Sequence, residues 1–132
     1  MEVLYIKGTD TTPEINFDPM TGAFSMTGKA IPADAEDFFK PVLNWLGEYV
    51  TEAADKTKLI IKLDYFNISA SKRLLFIFYK LNELIEKNSK VTVDWFYHED
   101  EDDMFEVGQD FAYMVKIPFK FIEYSYATSE SA

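Results

Sequence analysis

The chain of 132 residues is 48% hydrophobic and 17% aromatic, enough to bury the core of one domain and too apolar to be disordered throughout. Its 13 basic and 23 acidic residues leave a net charge of −10, which repels nucleic-acid phosphates and anionic membranes and sets both aside as partners. With no cysteine and one histidine it offers no disulfide, thiolate nucleophile or multi-histidine zinc site; it shows neither a leader nor an apolar run of about 20 residues, so a soluble cytoplasmic protein is expected.

The first thirty residues read as β structure. Val3 to Lys7 alternate weakly, Glu14 to Asp18 form a short strand, Pro19, Met20, Thr21 and Gly22 make a turn, and Ala23 to Gly28 returns as the second arm of a hairpin. After Pro32, Ala33 and Asp34, the residues Phe38, Phe39, Val42, Trp45, Leu46 and Tyr49 fall on one side at about 100° per residue. That spacing predicts an amphipathic helix, with Pro41 as a kink or first-turn marker.

Lys58 to Phe66 has the β-rich apolar centre of a central strand, and a second helix is expected from Ser69 to Lys87. Val91 to Tyr97 reads as a further core strand. Asp102 to Val115 reads as a third helix with Phe105, Gly108, Phe111, Ala112 and Val115 on one face, and Ile117 to Tyr124 as a last strand placed at an edge or started by Pro118. Strand and helix alternate through the second half, which implies parallel pairing by crossover. The expectation is one α/β domain over residues 1–124, a mixed sheet with helices mainly on one face, followed by a frayed tail at 125–132.

Three stretches invite a functional reading. In the second helix Leu74, Ile77, Phe78, Leu81, Leu84 and Ile85 form the core stripe, all within about 80° of Leu74. Phe76 and Tyr79 point elsewhere and share the outer side with Lys72, Lys80 and Glu83, either as a partner surface or as part of a broadly buried helix. Before that helix, Asn67 or Ser69 suits an N-cap, and Ser69 or Ser71 suits a phosphoacceptor at a positive helix end.

The acidic run from His98 to Glu106 lacks the spacing of a calcium loop and reads as helix-terminal charge, solvation or partner recognition, with no metal assigned. No nucleotide-binding glycine motif and no nucleophile elbow is present, and paired carboxylates discriminate nothing among 23 acids. Nothing in the sequence calls for catalysis or a cofactor.

Taken in order, GTDTTPEINFD, FKPVLNWLGEYV, YFNISASK, VDWFYHEDEDDMFEVGQDF and IPFKFIEY resemble the SiaC-type bacterial regulatory phosphoproteins over nearly the whole chain. The resemblance implies a STAS-like domain, related in fold to anti-sigma-factor antagonists, that acts as a binding switch and not as an enzyme. It implies a serine/threonine kinase and a phosphatase as partners in a partner-switching system. It also implies a diguanylate cyclase that the unphosphorylated form activates, in cyclic-di-GMP signalling and biofilm formation. In the family the phosphoacceptor directly follows the turn asparagine. Here that position is Ile68, while Asn67, Ser69 and Lys72 match, so either the acceptor has moved to Ser69 or Ser71 or the protein binds constitutively, as an interaction module or homodimer.

Overall fold

The computed structural model describes residues 1–125, so the expected tail lies outside the described residues apart from Ser125. In chain order the elements are β1 (Leu4–Ile6), β2 (Glu14–Phe17), β3 (Ala23–Ala30), α1 (Ala35–Tyr49), β4 (Lys56–Phe66), α2 (Ile68–Glu86), β5 (Lys90–His98), α3 (Asp102–Met114) and β6 (Phe119–Tyr124). The six strands form one mixed sheet in the order β1-β2-β3-β4-β5-β6. The first three pair antiparallel, and each later strand joins its predecessor in parallel.

Alternation along the strands explains where the core lies. Phe24 in β3, Leu59 in β4 and Val93 in β5 occupy the same face of the sheet, and their like-facing neighbours Met26, Ile61 and Trp95 are also buried. All three helices contribute to the same cluster: Leu46 and Tyr49 from α1, Leu74 and Phe78 from α2, Phe111 from α3. The helices therefore cover one face, as a mixed sheet with a solvated second face requires. On that second face Lys58 reaches the largely buried Asp94 at 3.0 Å, and the Lys62 ammonium sits 4.6 Å from the centre of the Tyr124 ring.

Three backbone details differ from the sequence expectation. β3 continues past Gly28 to Ala30 because a register shift between Gly28 and Lys29, with Gly28 at φ +105°, absorbs the irregularity. Pro41 lies inside α1 with its ring exposed, beyond the first turn, since the helix already begins at Ala35, where the Asp34 side chain accepts the Asp37 amide at 3.0 Å. Val115 is extended and ends α3 one residue earlier than expected. No helix among the described residues is long and apolar enough to cross a membrane.

Candidate functional site

The turn joining β4 to α2 is built from one asparagine. Asn67 is extended, its amide donates to the Ala30 carbonyl at the end of β3, and its side chain accepts the Ala70 amide at 2.9 Å. Asn67, and not Ser69, is the N-cap. Ile68 and Ser69 become the first two residues of α2, and Ile68 projects into solvent with 89% of its surface exposed.

The two serines of the turn have different surroundings. Ser69 is exposed and borders a depression of about 400 Å³ between the starts of α1 and α2, which Asp34, Glu36, Lys72 and Arg73 also line. Ser71 is half-buried on the other flank, and its hydroxyl donates to the Ile68 carbonyl at 2.7 Å. Arg73 approaches Glu36 at 3.8 Å and lies over the Phe76 ring at 5.4 Å, while Lys72 forms no ion pair among the described residues. The first turn of α2 carries no acidic residue, whereas α1 has Glu36 and Asp37 there and α3 has Asp102 and Asp103. The start of α2 thus has no acidic side chain of its own at its positive end, where Lys72 and Arg73 lie next to it and Asp34 and Glu36 face it from the start of α1.

The outer stripe of α2 brings Lys72, Phe76, Tyr79 and Glu83 together. Tyr79 is 46% exposed, Phe76 is half-buried beneath Arg73, and Lys80 closes an ion pair with Glu83 at 3.2 Å. The acidic run begins at the end of β5, where His98 Nδ1 accepts the Asp100 amide, and then forms the start of α3. His98, Glu99 and Asp100 bring potential ligand atoms within 4.8 Å of one another, with both acids exposed. This compact cluster follows from adjacency in the chain.

A feature that sequence reasoning missed lies beside the same turn. Phe66, Ile68, Val107, Phe111 and Met114 enclose a cleft of about 370 Å³ between the first turn of α2 and α3. A second cleft of about 190 Å³, lined by Asp64, Tyr65, Met104 and Asp103, shares Phe66 and Val107 with it. The only signal in the sequence was a large apolar residue, Ile68, at a helix start.

Comparison with known proteins agrees with this architecture. The family model described as SiaC family regulatory phosphoprotein matches residues 6–124. An uncharacterized protein of Pseudomonas aeruginosa (strain UCBPP-PA14) is 28% identical over 119 residues, spanning 90% of this chain and 94% of that protein. The structure of SiaC of Pseudomonas aeruginosa superposes with a TM-score of 0.86 at 27% identity, covering 94% of this chain and all of that one. A chain in the crystal structure of the diguanylate cyclase SiaD in complex with its activator SiaC, from the same species, superposes with a TM-score of 0.85 at 26% identity, covering 92% and 99% of the respective chains.

Proposed function

Because the chain belongs to the SiaC family of regulatory phosphoproteins, we propose that it is a regulator, not a catalyst, which binds and controls a diguanylate cyclase and whose binding is gated by a phosphate on Ser69. The reading extends to a cognate serine/threonine kinase and phosphatase that write and erase the mark, in the cytoplasm. The cyclase part draws on the solved complex of SiaC with SiaD.

The observation that carries the choice of residue is the contrast between the two serines. Ser69 is exposed beside Lys72 and Arg73 at a helix start without acidic residues, whereas the Ser71 hydroxyl is tied to a backbone carbonyl. A phosphate adds roughly −1.5 to −2 charge, which the helix end and the two cations offset. Arg73 would then be drawn from Glu36, and the cationic portion of the outer α2 surface, with Lys72 beside Phe76 and Tyr79, would change sign. A partner using Lys72, Phe76, Tyr79, Lys80 and Glu83 meets that change directly.

A specific observation favours a second reading, constitutive binding without a switch. Ile68 stands where the family carries its acceptor, and its exposed side chain has no hydroxyl. Incubation with the kinase encoded in the same genome, followed by mass spectrometric site mapping, separates the two. A phosphate on Ser69 that disappears in Ser69→Ala supports the gated form; protein left unmodified by an active kinase favours the constitutive one.

A further inference from the structure

The two adjoining clefts make a strip with an apolar floor and an acidic rim. Phe66, Met104, Val107 and Phe111 form the floor, and Ile68 and Met114 form the lips, 89% and 55% exposed. A chain that holds Trp95, Tyr49 and Phe78 at 0% exposure leaves Ile68 and Met114 open to water and Phe66, Met104 and Val107 half-buried around the buried Phe111, so covering them with a partner is favourable. The methionines add side chains that adapt to different apolar shapes.

The charge around the strip is of one sign. Asp64, Glu101, Asp103 and Asp110 line it, no lysine or arginine does, and none of these four acids forms an ion pair among the described residues. Cations placed beside an apolar row would meet these carboxylates as that row enters the floor. A second copy of the chain suits the strip poorly, because it brings its own net charge of −10 to the contact.

We propose that this strip is a docking groove for an amphipathic segment of a partner protein in which an apolar row is flanked by lysines or arginines. The assignment rests on the reading that the protein acts by binding partners, and it names a surface other than the outer stripe of α2. Ile68 then serves as an apolar anchor at the position where the family carries a hydroxyl. Ser69 borders the depression on the α1 side of the turn, near Lys72 and Arg73, so groove occupancy and phosphorylation are separate readouts.

The five methionines provide a test on the intact chain, since Met104 and Met114 line the strip and Met1, Met20 and Met26 do not. With 13C-methyl methionine labelling, a short synthetic leucine–lysine amphipathic peptide is titrated against its leucine–glutamate counterpart. The expected result is that the lysine peptide shifts Met104 and Met114 alone, that the glutamate peptide shifts neither, and that added salt weakens the effect. Ile68→Asp, a change at an exposed side chain, is expected to lower the affinity of the lysine peptide about tenfold. Equal response to both peptides, shifts confined to other methionines, no shift, or concentration-dependent shifts without peptide would each overturn the assignment. Failure of the phosphoswitch instead appears as an unmodified Ser69, with the methyl shifts retained.

Discussion

Gly108 of α3 passes so close to Trp95 of β5 that a Cβ at position 108 would lie 2.6 Å from the indole Nε1 and 2.7 Å from Cδ1. The ring cannot retreat, because its N–H donates to the Met104 carbonyl at 3.0 Å and it packs against Phe66 and Phe111. Gly108→Ala gains about 1 kcal/mol of helix propensity. Overpacking costs about 1–3 kcal/mol, so net destabilisation is expected, seen as a lower urea midpoint with an altered tryptophan emission spectrum. Unchanged or raised stability would show that α3 shifts to make room.

The Asn67 cap is testable in the same way. Asn67→Ala removes the acceptor of the Ala70 amide at the start of α2 and is expected to cost about 1 kcal/mol, while Asn67→Asp retains most of the stability. Equal losses in both variants, measured by urea denaturation, would point to a role for the Asn67 amide group beyond capping.

Charge at Ser69 should matter more to partner binding than loss of the Ser71 hydroxyl. With the purified cyclase from the same genome, Ser69→Asp is expected to weaken binding about tenfold, equivalent to about 1.4 kcal/mol, and Ser71→Ala to leave it within a factor of two or so. Titration calorimetry gives both constants. An unaltered affinity in Ser69→Asp would argue that the outer α2 surface does not carry the contact.

On the open face of the sheet, Asp94 has 9% of its side chain exposed and depends on Lys58 at 3.0 Å. Lys58→Met leaves that carboxylate largely buried and unpaired, and a loss of about 1 kcal/mol is expected, moderated because Lys58 is itself 57% exposed. Adding Asp94→Asn should recover part of the loss. A double-mutant cycle in urea that finds no coupling would reduce the pair to a surface ornament.

The sequence pattern was enough for the element order, because the periods of α1, α2 and α3 and the apolar centres of β4 and β5 are dictated by burial on one face. The boundaries it blurred have local causes. Lys58 to Phe66 became Lys56–Phe66 because Lys56 and Thr57 pair with Lys90 and Val91, a contact invisible in either segment alone. The cap remained open between Asn67 and Ser69 because both residue types fit, and backbone geometry alone decides. The candidate site was legible on the outer stripe of α2 only as a helix face, where helical spacing places Lys72, Phe76, Tyr79 and Glu83 together. It was not legible in the groove, since Phe66, Val107 and Met114 meet only through the packing of α3 beside α2.

The strand order has a further meaning for how the chain is made. Every strand from β2 to β6 pairs with the strand before it, so each one leaving the ribosome finds its neighbour already synthesised, and none must be held open for a later insertion. Closure can advance from the amino end as a growing edge, with α1, α2 and α3 laid down in turn on the same side. The last strand to arrive among the described residues, β6, also brings in the aromatic rings of Phe119 and Phe121 that pack against Phe78 and Phe105. A ribosome-stalled series should therefore gain protease resistance in steps, and the final step should wait for β6 to clear the exit tunnel.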